Sequence, residues 1–520
     1  MILSRSSNSI KNITYALIGQ SIGLIVSFFS RLVFIRCLGT EYLGLNGLFT
    51  NILTVLSLAE LGVGEAITFS LYKPLSTKNS EKCLMLMSFY KKVYIIIGII
   101  ILLVGVSITP FLNFFISDIP DIPNISIIYI LFVINSAASY MFSYKRNLII
   151  ADQKRYIATI YRYSFYSALN ILQIIVLLLT NNYILFLSLQ ILNTIIENLL
   201  ISVKANRMYP FLNSNKKIPL DTESKTQIIK NTKAMMMHKI GGIVVSSTDN
   251  IIISKFINLV TVGLYSNYYL IINALNTIIG QFFSSILASV GHLFATESKE
   301  KCYSVFNRVY FLNYCIYSTS SICLLVLFNS FIELWLGKNY ILTPQVVLIL
   351  VINFYVTGMR KSAITFKEAA GLFYNDRWKS ILEAIINLFF SIILVQYFGL
   401  LGVFIGTFIS SVTVCVWIEP FVLYKNGFDK SLKEYFKKYF CYCFATIISA
   451  IVSVLLFSLI DKIGIDLLLA FLIKAILAIL LSFMFIVLFF SRTSEFSYYL
   501  NNASTLIKKI SGKQLSKRKH

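Results

Sequence analysis

Residues 30–45 read Ser30-Arg31-Leu32-Val33-Phe34-Ile35-Arg36-Cys37-Leu38-Gly39-Thr40-Glu41-Tyr42-Leu43-Gly44-Leu45. They form the end of a long apolar run that carries two arginines, then a short polar turn, then the start of another apolar run. The same design returns later as Asn250-Ile251-Ile252-Ile253-Ser254-Lys255, a turn over Ile257 to Thr261, and Val262-Gly263-Leu264-Tyr265. Arg36 and Lys255 each precede their matching glycines, Gly44 and Gly263, by eight residues. One alignment therefore brings cation and glycine into register together. A duplicated helical hairpin opening each half of the chain is the signature of a transporter built from two repeats.

Composition agrees with a lipid-solvated chain. It is 57% hydrophobic and only 13% charged, with a mean hydropathy of +0.76, whereas soluble domains carry about 25% charged residues. Apolar runs of about 20 residues, enough to cross the hydrocarbon, recur from the region of residue 12 to the 490s. They are continuous rather than alternating, which excludes a β-barrel. The fold class expected is an all-α polytopic membrane protein of about fourteen helices, with spans that include 12–35, 43–71, 235–257, 400–424 and 465–490. The expected organisation is a six-helix bundle over 1–204, a linker over 205–234, a second six-helix bundle over 235–424, and two further helices with a basic tail over 425–520.

The cations orient these spans. All but six of the forty-six Lys and Arg residues fall in every second gap or at the two ends, and the exceptions are Arg31, Arg36, Lys255, Lys338, Lys462 and Lys474. By the positive-inside rule the cation-rich gaps and both termini are expected to be cytoplasmic, as in a multi-pass membrane protein. The net charge of +23 is thereby accounted for without nucleic acid as a partner. The tail from Lys508 to Lys519 is expected to lie against anionic lipid. Met1–Lys11 is polar with an apolar run behind it and no small-residue cleavage pattern, so that run reads as a retained first span.

Chemistry is sparse. The eight Cys residues lie in or beside apolar segments, and the three His residues share no spacing with them, so neither a metal site nor a disulfide framework is indicated. No nucleotide loop, HExxH or GxSxG pattern occurs, and no cofactor is expected. Every gap on the cation-poor side is short. A membrane glycan-processing enzyme would need a catalytic loop there, so no enzymatic activity is expected.

The stretch from Ser30 to Leu45, with Ala59-Glu60-Leu61-Gly62-Val63-Gly64-Glu65-Ala66-Ile67 behind it, resembles the N-terminus of polysaccharide-repeat-unit flippases of the Wzx type, members of the multidrug/oligosaccharidyl-lipid/polysaccharide exporter superfamily. Asp249 to Ser254 with Val262 to Tyr265 resembles the seventh-helix region of the same family. The resemblance implies a MATE-like fold and translocation of an undecaprenyl-diphosphate-linked oligosaccharide from the inner to the outer leaflet, for capsule, O-antigen or a related polymer. Membrane lipid and a polysaccharide polymerase are the partners this implies. A cation-coupled multidrug exporter of the same superfamily is the alternative.

The residues that would serve such a task can be named from physical chemistry. A glycan diphosphate needs a polar path through about 30 Å of hydrocarbon, and intramembrane charges are functional candidates by default. Arg31 lies deepest and can offer a planar fork to phosphate oxygens. Arg36 and Lys255 sit nearer the rim, where they either bind substrate or snorkel to headgroups. Asp249, in mid-span, either joins a structural ion pair or takes a coupling proton or Na⁺. Glu60 and Glu65 flank the Gly62/Gly64 break and either shape an inner gate or are solvated.

Overall fold

The computed structural model describes residues 2–60, 62–117, 122–214, 219–372, 374–502 and 504–505. The basic tail from Lys508 lies outside them. The helices, in chain order, are α1 (Ile2–Leu38), α2 (Thr40–Leu56), α3 (Val63–Ser76), α4 (Ser80–Ile108), α5 (Leu112–Phe115), α6 (Ile125–Ala151), α7 (Arg155–Thr180), α8 (Tyr183–Met208) and α9 (Thr222–Phe256). They continue as α10 (Leu259–Thr296), α11 (Lys299–Leu336), α12 (Pro344–Met359), α13 (Lys361–Ala369), α14 (Lys379–Phe398), α15 (Leu400–Ser410), α16 (Val416–Leu423), α17 (Leu432–Lys462) and α18 (Leu467–Phe490). No strand occurs among the described residues.

Eleven of the described helices or joined helices are long and apolar enough to span, and α6, bent by 44° near Phe142, makes a twelfth. The two other expected spans fall on broken or polar segments. Span 43–71 is interrupted at Gly62, which adopts φ 81° after a 3₁₀ turn over Ser57–Glu60; a glycine reaches that left-handed geometry without steric cost. Span 235–257 belongs to α9, whose apolar stretch contains Asp249 and Lys255. At Gly39, with φ 86°, the chain passes from α1 to α2 in one residue, so the first hairpin is as tight as its sequence suggests.

Contacts divide the chain into two units. Unit 1 comprises residues 1–266 and 380–403. Within it α1 lies close against α7 because Gly19 and Gly23, spaced as Gly-x-x-x-Gly, both face the Tyr163 ring; small residues at that spacing let membrane helices approach. Amides tie the other helices. Gln173 Nε2 donates to the Phe186 carbonyl (3.1 Å) between α7 and α8, and Thr194 Oγ1 donates to Asn135 Oδ1 (2.8 Å) between α8 and α6. Arg146 on α6 pairs with Glu197 on α8 and also reaches Asn198 at 3.1 Å. Just beyond α8, the buried Tyr209 hydroxyl donates to Asp152 Oδ2 at 2.7 Å. Burial first, and then that carboxylate, pushes the Tyr209 pKa up.

Unit 2 comprises residues 267–379 and 404–520. Its centre is α11, whose Tyr310, Tyr314 and Tyr317 are buried. The two C-terminal helices pack on it through aromatic rings: Tyr314 stacks on Tyr442 of α17 at 4.3 Å between centroids, and Phe490 of α18 meets Tyr314 edge-on at 5.2 Å. At the break between α12 and α13, Asn313 Nδ2 donates to the Gly358 and Met359 carbonyls at 3.1 and 3.2 Å. That bond satisfies backbone acceptors the break would otherwise leave unpaired in an apolar core.

Candidate functional site

The duplicated hairpins meet in unit 1, and they do so reciprocally. A Cβ placed on Gly44 would overlap the Leu259 carbonyl, and one placed on Gly263 would overlap the Thr40 carbonyl. In the sequence alignment Leu259 is the counterpart of Thr40, so each repeat makes on the other the contact it receives. The next layer is related in the same way. Arg31 Nη1 donates to Ser266 Oγ at 3.3 Å. Asn250, the counterpart of Arg31, stands with its Nδ2 3.4 Å from where a Cβ on Gly47, the counterpart of Ser266, would be. The repeat read from spacing is thus a local two-fold arrangement of backbone contacts, with glycines at the positions of closest approach.

This joint yields a direct expectation. Gly44→Val or Gly263→Val should each cost about 1–3 kcal/mol by overpacking, read as a lowered unfolding midpoint in detergent. The double variant should cost less than the sum, because once one branched side chain has parted the joint the second meets less resistance.

Arg31 sits about 10 Å inside the end of α1, given the helical rise per residue, and is half-buried. Its neighbours include Tyr183, which is buried and packs edge-on against Phe34 and Tyr42 at 5.6 and 5.2 Å. Among the described residues no carboxylate pairs with Arg31; its one hydrogen bond, to Ser266, uses a single one of the five guanidinium donors. A cation held in this way, within an apolar helix and with its fork uncommitted, is equipped to receive an anion.

Asp249 is 9% exposed, and its Oδ1 has no hydrogen-bond partner among the described residues. No described cation lies within ion-pair distance of it. The structure does not bring Asp249 and Arg31 together as a pair, even though they occupy adjacent positions in the repeat. Asn250 Oδ1 is also without a hydrogen-bond partner among the described residues.

The rim cations are placed differently. Arg36 is exposed. Lys255 lies over the Phe114 ring at 4.8 Å, where Ser254 Oγ donates to the Phe115 carbonyl (2.8 Å) and the Ser117 amide donates to the Ser254 carbonyl (3.2 Å). Lys255 therefore belongs to a strap that fixes the end of α9 to the chain after α5. Glu60 accepts from the Tyr94 hydroxyl at 3.3 Å, which in turn accepts from Asn147 Nδ2 at 3.0 Å, with Gly64 leaving the room for this cluster. The Glu65 side chain lies outside the described residues.

One charged constellation escaped the reading of the sequence. Glu419 on α16 is fully buried; its Oε2 accepts from Arg360 Nε and its Oε1 from Arg360 Nη2, each at 2.9 Å, and Lys379 also donates to Oε1. The charge alternation places Arg360 and Lys379 in a cytoplasmic gap. The available signal was Glu419 itself, a carboxylate beside Pro420 in an apolar run, which needs a cation to be tolerated there. α16 is bounded by π-helical turns at Ser411–Cys415 and Tyr424–Phe428, and such turns gather at functional positions. Lys474, one of the six exceptions, is buried and pairs with Asp461 across the turn between α17 and α18.

Solved structures share this architecture. An inward-facing multidrug resistance MATE family transporter of the MOP superfamily aligns with TM-score 0.65 and 12% identity, over 78% of this chain and 98% of that one. Lipid II flippase MurJ in an inward closed conformation aligns with TM-score 0.65 and 14% identity, over 92% of this chain and 98% of that one. A MOP superfamily transporter from Pyrococcus furiosus, described as having reversed polarity in its binding pocket, aligns with TM-score 0.52 and 12% identity over 79% of this chain and 96% of that one. No protein-family model matches the chain, and no curated protein matches it. At these identities the likeness establishes the fold: an all-helical, multi-pass membrane architecture of the MATE type.

Proposed function

We propose that this chain is a flippase that moves undecaprenyl-diphosphate-linked oligosaccharide repeat units from the inner to the outer leaflet of a bacterial cytoplasmic membrane, by alternating access, for assembly of a capsule, O-antigen or related polymer. The observation that carries the reading is Arg31, an intramembrane guanidinium with no carboxylate partner among the described residues. A diphosphate carries the charge and the paired oxygens that such a fork accepts. The flippase among the structural neighbours aligns over more of this chain than the multidrug transporter does, 92% against 78%, which supports a lipid-linked cargo. The charge alternation supports cytoplasmic termini.

In this reading Arg31 binds the diphosphate, with Arg36 and Lys255 guarding the rim. Asp249 is the coupling residue, since a buried carboxylate with no cation partner among the described residues is suited to take a proton or bind an ion. Glu60 and Glu65 flank the break after α2 as gating residues.

A cation-coupled multidrug exporter is the second reading, favoured by Asp249 and by the MATE neighbours. Proteoliposomes separate the two. Purified protein should expose an undecaprenyl-diphosphate-linked oligosaccharide of the inner leaflet to an external lectin and should not concentrate ethidium. Ethidium transport without lectin-accessible glycolipid would reverse the assignment.

A further inference from the structure

A cavity of about 280 Å³ opens in unit 2 where α16 ends and α17 begins, lined by Phe421, Tyr424, Lys425, Asp429, Lys430 and Leu432. The span that ends at Phe428 and the one that starts at Leu432 are separated by only three residues, which holds the cavity at the bilayer surface. Phe421 is exposed on the helix side, as a wall facing acyl chains would be.

The charge in this cavity is uncommitted. Lys425 stands 5.5 Å from the Phe421 ring and Lys430 5.8 Å from the Tyr303 ring. Among the described residues neither has a carboxylate within ion-pair distance. The lining carboxylate, Asp429, is taken by Lys299, and nearby Glu434 accepts from the Tyr303 hydroxyl at 2.6 Å. Glu300, at the start of α11, is the remaining acid close to Lys430, with Lys299 and Lys301 beside it. The sign of the site is therefore positive.

Two further features add to the lysines. The 31-residue helix α17 begins at this cavity, capped by Ser431, so the positive end of its dipole faces the same space. Tyr424, 1% exposed, lines the cavity, and its hydroxyl, close to Tyr303, is within hydrogen-bond geometry of no group among the described residues. Tyr424, the N-terminus of a long helix and two ammonium groups with no carboxylate at ion-pair distance among the described residues line a space with one apolar wall.

We propose that this cavity binds the phosphate of an anionic phospholipid headgroup, with Lys425, Lys430 and the Tyr424 hydroxyl on the phosphate and Phe421 against the acyl region. The site shares no residue with those assigned to the cargo. It anchors the π-helical end of α16 to the leaflet and makes occupancy depend on lipid charge.

The test uses full-length protein, delipidated in detergent and then offered dioleoylphosphatidylglycerol, dioleoylphosphatidylcholine or inorganic phosphate, with bound lipid counted by native mass spectrometry. The phosphatidylglycerol lipid should be retained in preference to the phosphatidylcholine lipid. The K425Q/K430Q variant should lower that retention about twenty-five-fold, roughly fivefold for each lysine near a charged membrane surface. Tyr424→Phe should give a smaller loss, and K437Q, an exposed lysine of α17 away from the cavity, none. Because Lys425 and Lys430 are exposed, the double variant should fold normally, checked by its melting temperature. Equal retention of the two lipids, unchanged retention in K425Q/K430Q, or full displacement of the lipid by inorganic phosphate would each overturn the proposal.

Discussion

Arg31→Ala is expected to abolish translocation of the lipid-linked cargo while the protein still inserts, folds and accumulates. The size follows from what the side chain can offer. Two charge-assisted hydrogen bonds to a phosphate are worth about 1.5–3 kcal/mol each, so their loss should slow transport by about a hundredfold or more. The cost to the fold is small, because Arg31 makes one described hydrogen bond, to Ser266, worth about 1 kcal/mol. Arg31→Lys keeps the charge but loses the fork and should recover only part of the rate. Full activity in Arg31→Ala, measured on protein of unchanged melting temperature, would remove Arg31 from the site.

The second large effect falls on stability. Glu419→Gln leaves the Arg360 and Lys379 charges facing a neutral amide in a buried pocket. Breaking a buried pair by removing one partner costs about 3–5 kcal/mol, which for a unit of this size lowers the unfolding midpoint by about 10 °C. The ionic arrangement itself is not a strong stabiliser, since desolvation offsets most of the attraction. Replacing all three members with apolar residues, as Arg360→Met, Lys379→Met and Glu419→Leu, should therefore restore most of the loss. A triple variant as unstable as Glu419→Gln would show that the network holds α16 by geometry rather than by charge balance. Transport by a stable triple variant would show that the cargo does not need these charges.

The hairpin repeat was legible because it is written in spacing. Arg36 and Lys255 fall eight residues before Gly44 and Gly263, and those glycines are where two backbones come too close for a Cβ. The helical class was legible from hydropathy alone, because lipid leaves the backbone no alternative to helices or closed barrels. The break in span 43–71 lay beneath that resolution. Apolar residues continue through Gly62, and only its left-handed φ divides the helix.

Charge was legible as topology but not as pairing. The positive-inside rule places Arg360 and Lys379 in a cytoplasmic gap, yet a residue at a helix end can turn inward when a buried carboxylate such as Glu419 waits there. Lys255 and Arg36 match in the sequence, but Lys255 lies on the Phe114 ring whereas Arg36 is exposed. Equivalent positions in a repeat share backbone environment, while their side chains answer to whatever loop lies nearby. The lack of a described partner for Asp249 is a property of three-dimensional neighbours, which no spacing along the chain records.

If the chain carries a lipid-linked glycan across the bilayer, the leaflet in which that glycan resides must depend on it. In a host strain depleted of the protein, the undecaprenyl-diphosphate-linked repeat unit should accumulate in the inner leaflet, inaccessible to an external lectin in intact spheroplasts, with polymer lost from the surface. Unchanged outer-leaflet exposure together with intact polymer would contradict the account.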